Sequence, residues 1–265
     1  MDPYEIGLRP EPGREKTVKN GEKTLAKSFG ILEAAAAFPG GLDGRGIAER
    51  TGIPLSTAFR MMKFLVGAGY LCVRDGRYTL GYGLLRLGAA ASRQNPLACA
   101  GHRFLEELSA RTRETVHLAE LQDGRVVYVD KVEGVRSVRM GSLIGHSGPV
   151  YCTGVGKAML AFLPEEERER IIAGLEFERF TPSTVTDAAK LRRCLELVRR
   201  RRYAVDDCEH ENGVFCIASC VLDRRNRAVA AVSVSGAELY LRGQVAVIAP
   251  LVRECASKIA SALGL

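Results

Sequence analysis

Residues 46–65, Gly-Ile-Ala-Glu-Arg-Thr-Gly-Ile-Pro-Leu-Ser-Thr-Ala-Phe-Arg-Met-Met-Lys-Phe-Leu, constrain this chain more than any other stretch. They read as two short helices broken at Thr51, Gly52, Ile53 and Pro54. Gly52 can take the positive φ of a tight helix end, and Pro54 brings a φ suited to a first helical turn. Ahead of the break, Ile47 and Ala48 offer an apolar contact and a small residue for close helix approach. Behind it, Ala58, Met61, Met62 and Leu65 recur at helical spacing and form a stripe to bury. Ser56, Thr57, Arg60 and Lys63 then share the opposite face, and all can donate hydrogen bonds. A short helix with an apolar back and a donor-rich front suits the major groove of DNA. An ordinary helical hairpin is the competing reading of this stretch alone.

The adjoining segment favours DNA. Residues 69–80 are two β-prone runs joined by Asp75-Gly76, a strong hairpin signal. Arg74 and Arg77 flank the turn, where a wing would set them against phosphates; plain solvation of an exposed turn is the alternative. The net charge of +7 agrees in sign. Residues 1–88 hold 13 Lys/Arg against 9 Asp/Glu, a denser excess than the 25 against 22 of residues 89–265. A phosphate-binding module at the N-terminal end requires such a bias.

A chain of 265 residues, 46% of them hydrophobic, accommodates two packed domains. It contains no apolar run near the ~20 residues that span a bilayer, and its first two dozen residues lack the apolar centre of a secretion signal. A cytoplasmic protein with reduced cysteines is expected. Residues 1–21, rich in proline, glycine and charge, are expected to form a flexible tail. Residues 22–82 form the winged helix-turn-helix, its first helix at 23–38 with Leu25, Phe29, Leu32 and Ala36 as the apolar positions. Asp43 is a candidate cap for the second helix, which two glycines weaken. A linker helix lies within 83–95, and 96–265 form the second domain.

In that domain, 97–112 reads as an amphipathic helix with Phe104, Leu105 and Leu108 inward. Residues 116–129 read as a hairpin about Asp123-Gly124. Helices are expected at 154–162, 165–175 and 187–202, strands at 214–221 and 228–235, and one closing helix at 238–263. The absence of a βαβ rhythm argues for an α+β domain around a largely antiparallel sheet.

With these elements in place, the chain resembles the IclR family of bacterial transcriptional regulators over residues 22–263. The N-terminal motif is Ile47-Ala48-Glu49, Thr51-Gly52-Ile53-Pro54, Ser56-Thr57, Arg60, Gly69-Tyr70 and Tyr78-Thr79-Leu80-Gly81. The C-terminal motif is residues 153–161, Thr-Gly-Val-Gly-Lys-Ala-Met-Leu-Ala. It is followed by Asp206-Asp207-Cys208-Glu209, Gly213-Val214 and Cys216-Ile217-Ala218. Departures are Arg202 where the family usually has glycine, Gly46 where a better helix former is common, and Cys220 where proline is frequent. The resemblance implies a GAF-like effector-binding domain that takes a small organic acid, often aromatic, in a homodimer or a dimer of dimers. Carried over residue by residue, it implies effector contacts at Gly154 and Val155 (through backbone), Asp206, Val214, Cys216, Ser233 and Ser235.

The residues themselves allow such a pocket. Ser233 and Ser235 share one strand face while Val232 and Val234 take the other, and Val214 and Cys216 are related in the same way. Residues 154–156 open a helix whose free N–H groups and dipole favour a carboxylate. Serines that merely pair with nearby backbone are the alternative. An enzyme or cysteine-redox sensor with an accessory winged helix is the competing function, built on Cys216 beside Asp206. No histidine is placed to deprotonate that thiol. His102, His117, His146 and His210 are scattered, and each reads as a surface or hydrogen-bonding residue. No metal or cofactor is expected: Cys216 and Cys220, four apart on a strand, lie about 13 Å apart, too far for one tetrahedral ion.

Overall fold

The computed structural model describes residues 20–136 and 141–265. The chain divides after Ala91 into two compact units. In the first, α1 (Asn20–Ala36), β1 (Leu42–Asp43), α2 (Gly44–Thr51) and α3 (Leu55–Gly67) precede β2 (Leu71–Arg74), β3 (Arg77–Leu80) and most of α4 (Tyr82–Gln94), whose last three residues fall in the second. The strands form an antiparallel sheet in the order β1-β3-β2. The tail expected over 1–21 lies outside the described residues as far as 19, and Asn20 and Gly21 already belong to α1.

Gly52 ends α2 in the left-handed region at φ 65°. Pro54 stands one residue ahead of α3 instead of inside its first turn, and its carbonyl accepts from the N–H groups of Thr57 and Ala58, both at 2.9 Å. Asp43 does cap α2, its Oδ1 accepting from Gly46 N at 2.9 Å. The two glycines have steric reasons: a Cβ on Gly46 would stand 3.0 Å from that carboxylate, and one on Gly44 would stand 2.7 Å from Phe59. Ala58, Met61, Met62 and Leu65 close the core with Ile31, Ala35, Ile47 and Leu71.

The inward face of α1 differs from the expected one. Ile31 and Ala35 are buried, whereas Leu25 and Phe29 are each 62% exposed. The helix carries two apolar stripes about a third of a turn apart, and periodicity selected the outer one.

The second unit runs α5 (Pro96–Thr112), β4 (Thr115–Gln122), β5 (Arg125–Val132), β6 (Ser147–Gly148), α6 (Gly154–Ala161), α7 (Glu165–Ala173) and α8 (Ala188–Arg201). It ends with β7 (Ala204–Asp207), β8 (Val214–Leu222), β9 (Ala228–Ala237), α9 (Glu238–Leu241) and α10 (Val245–Ala262). Its antiparallel sheet has the order β6-β5-β4-β9-β8-β7. Val116, Leu118, Phe215, Ile217, Val232 and Val234 pack with Leu105, Leu108, Val252 and Ile259 of α5 and α10. On the other face Ala218, Cys220 and Ala231 pack with Val155, Ala158 and Met159 of α6, and with Leu191 and Leu195 of α8. Arg202, at the family's glycine position, takes φ 64° to end α8.

The single closing helix expected over 238–263 is broken. A 3-10 turn at Arg242–Gln244 separates α9 from α10. Gly243 weakens helix continuity there, while Arg242 is tied to Asp207 and Glu238.

Helix α6 lies so close to its surroundings that a Cβ on Gly156 would stand 2.5 Å from the backbone of Val150. Gly156→Ala should therefore destabilise the protein by about 1–3 kcal/mol despite alanine's helix propensity. Urea denaturation checks this, and a variant as stable as wild type would contradict the close packing.

Candidate functional site

In the first unit, the burial of Ala58, Met61, Met62 and Leu65 fixes the rotation of α3. Ser56, Arg60 and Lys63 are consequently exposed, and Thr57 is half-buried. Phe64, 72% exposed, shares that outward side and was not read from the sequence. In the hairpin, Asp75 and Gly76 both take positive φ, 51° and 73°, as the two-residue turn requires. Arg74 and Arg77 face each other across the last rung. Arg77 has a second duty, since its Nε donates to Gly40 O at 2.9 Å and ties the wing to the loop after α1.

In the second unit, the strand register lines up the remaining residues. Asp206 pairs with Cys216, Cys216 with Ser235, and Ser235 with Thr115. The neighbouring row runs Ala218, Ser233, His117, Lys131. Val214 lies on β8 opposite Ala237. Gly154, the first residue of α6, rests on this face. A Cβ there would meet those of Ala218, Cys216 and Asp206 at 3.3, 3.4 and 3.7 Å. Thr153 Oγ1 caps α6 by accepting from Gly156 N at 3.2 Å. The N–H groups of Gly154 and Val155 have no acceptor within the helix.

Asp206 is buried and its Oδ1 accepts from Glu209 N at 2.8 Å. Burial pushes its pKa up to about 7, against a lowering pull from Lys157 and the backbone of Glu209. Lys157, buried on α6, forms an ion pair with Glu209, whose second oxygen, Oε2, is buried without a hydrogen-bond partner among the described residues. Burial also raises the Glu209 carboxyl. Thr181 and Thr184 fasten this corner: their hydroxyls donate to Cys208 O at 2.7 Å and Glu209 O at 2.6 Å. Both Lys157 and Glu209 stand in the family motifs, but 52 residues separate them and nothing local signals that they meet.

In the sequence His117 stands out only as one scattered histidine. It is buried on the serine face, with Nδ1 at 3.3 Å from Ser235 Oγ and 3.5 Å from Ser233 Oγ. The Cys216 thiol is pushed well above its ordinary range by burial and by Asp206, the opposite of what a nucleophile needs.

The two units match two family models. Residues 24–74 match the IclR helix-turn-helix domain, and residues 89–261 match the bacterial transcriptional regulator IclR C-terminal domain. The chain belongs to the IclR family. It is a DNA-binding transcriptional regulator that responds to a ligand, and not an enzyme. Among IclR-family relatives, it is 34% identical to the HTH-type transcriptional repressor AllR of Klebsiella pneumoniae, over 98% of this chain and 97% of that one. It is 33% identical to AllR of Escherichia coli K12, with 98% of each covered. The solved structure of Thermotoga maritima IclR matches with a TM-score of 0.81 at 35% identity, covering 92% of this chain and 99% of that one. An IclR homologue from Microbacterium hydrocarbonoxydans, complexed with 4-hydroxybenzoate, matches at 0.78 and 26% identity, covering 91% and 99%.

The raised Asp206 carboxyl has a definite linkage sign. Between about 3.8, its ordinary value, and about 7, the folded chain holds a proton that the unfolded chain has lost, so stability falls as pH rises through that window. Asp206→Asn keeps an acceptor for Glu209 N and should remove that part of the decline. Urea denaturation at pH 5 and pH 8 reads it; an identical pH dependence in both proteins would contradict the burial assigned to this carboxyl.

Proposed function

We propose that the protein represses transcription from an operator read by α3, and that a small organic acid bound in the second unit controls it. Ser56, Thr57, Arg60 and Lys63 address the major groove, with Arg74 and Arg77 on flanking phosphates. The acid sits against the N–H groups of Gly154 and Val155, bounded by Asp206, Val214, Cys216, Ser233 and Ser235. The observation that carries this reading is the row Asp206, Cys216, Ser235 beneath the start of α6. Helix N–H groups attract a carboxylate and the serines supply further hydrogen bonds. The AllR relatives, named as repressors, support the sign of regulation, and the homologue that holds 4-hydroxybenzoate supports an acid as ligand.

In this reading residues 22–82 bind DNA, 83–95 link, and 96–265 sense, in the cytoplasm. A homodimer, or a dimer of dimers, completes it, because one recognition helix reads only a few base pairs. Exposed Leu25 and Phe29 on α1, and Tyr82, Leu85 and Leu87 on α4, support a second copy as the partner. Light scattering at micromolar concentration should show at least twice the monomer mass; a monomer alone would contradict this.

Arg60→Ala should cost roughly 1–3 kcal/mol in operator affinity and leave binding to random DNA nearly unchanged. Fluorescence anisotropy on both DNAs reads the difference. Equal operator binding by wild type and variant would remove α3 from the recognition role.

A further inference from the structure

We infer that His117, backed by Ser142, is a further part of the effector site: it turns the Ser233–Ser235 pair into hydrogen-bond donors for a carboxylate. This rests on the proposed effector site and adds to it a residue and a selection rule.

The imidazole lies within reach of three hydroxyls. Nδ1 is 3.3 Å from Ser235 Oγ and 3.5 Å from Ser233 Oγ, the two serine oxygens are 3.4 Å apart, and Nε2 is 2.7 Å from Ser142 Oγ. Ser233 is its direct neighbour across the β4–β9 ladder. The Tyr128 ring lies tilted against it with centroids 5.2 Å apart. Lys131, the next residue along that row, donates through Nζ to Ser142 O at 2.8 Å and thereby sets the hydroxyl that meets Nε2.

This imidazole stays neutral. Burial, and then the charge of Lys131, push its pKa down to about 3. A neutral imidazole carries one N–H, so its two nitrogens have opposite roles. With the proton on Nε2, Ser142 accepts it, and Nδ1 accepts from one serine. The second serine then donates to the first, and the pair presents oxygen lone pairs. With the proton on Nδ1, that N–H donates to a serine oxygen and Ser142 donates to Nε2. The Ser233 proton is then free to point at a ligand, and the Ser235 proton can turn to it from the neighbouring Cys216 thiol. The second arrangement offers an anion two serine donors where the first offers at most one, and a ligand that offers only donors is better met by the first. The proton moves between two ring nitrogens, so the total charge of the ring and its three hydroxyls is unchanged. A carboxylate therefore binds with His117 held in the Nδ1–H tautomer and with no proton taken up by this ring.

The test uses the full chain at pH 7 with acetate, lactate, benzoate and 4-hydroxybenzoate as probes, read by calorimetry. His117→Leu should weaken the best binder by about tenfold or more, the loss of at least one buried hydrogen bond. His117→Asn, whose amide can still donate from the Nδ1 position, should retain most of the affinity. Thermal melts establish that each variant is folded. Nitrogen-15 spectra of the imidazole in the complex should show Nδ1 protonated and Nε2 bare. Tight binding by His117→Leu, or an Nε2–H tautomer in the complex, would overturn the role of His117. The Ser233→Ala/Ser235→Ala variant separates the two readings. If it loses the acid while His117→Leu keeps it, only the inference about His117 fails. If neither variant affects binding, or no probe binds wild type, the effector site itself is misplaced and the inference falls with it.

Discussion

The close approach of α6 to the sheet is the constraint on which the sensing unit depends. Gly154 rests on the Cβ atoms of Asp206, Cys216 and Ala218, and Gly156 rests on the backbone of Val150. A side chain at Gly156 would lift the helix and open its start to water, whereas a methyl group at Gly154 would just touch the sheet. The approach is secured by charge as well as shape. Lys157 reaches Glu209 within the protein, and removing one member of such a buried pair costs about 3–5 kcal/mol because the other is left unpaired. A single ion pair thus clamps the helix start to the strand end that carries Asp206.

The same geometry sets the protonation of the polar face. Asp206, Cys216 and His117 all belong to types that catalyse reactions elsewhere, yet burial drives each toward its neutral form. Neutral groups that can both donate and accept hydrogen bonds are suited to holding an acid without transforming it. In the first unit the logic is reversed. The apolar back of α3 is buried so that its cationic and hydroxyl front remains in water, available to a polyanion.

Legibility in the sequence tracked the range of the interaction. Gly52 and the Asp75-Gly76 turn declare themselves locally, because each needs positive φ, and the α2–α3 break and the hairpin were readable from them. The Asp43 cap is equally local. The alternation of Val232, Ser233, Val234 and Ser235 showed which side chains share a face, and the structure supplies what each side meets. His117 escaped because only the register with β9 sets it opposite Ser233. The Lys157–Glu209 pair escaped for the same reason, its partners being distant in sequence. The misassigned face of α1 has another cause. Leu25 and Phe29 look like core by periodicity, yet they stay exposed in a single chain.

The central claim is that a small acid is held between the start of α6 and the row Asp206, Cys216, Ser235. A proton–nitrogen correlation titration of the full chain with 4-hydroxybenzoate tests it directly, since it reports each backbone N–H separately. The account predicts that the largest and earliest amide shifts fall on Gly154, Val155 and Ser235. Shifts that are absent there and concentrated instead on α5 or α10, across the sheet, would contradict it.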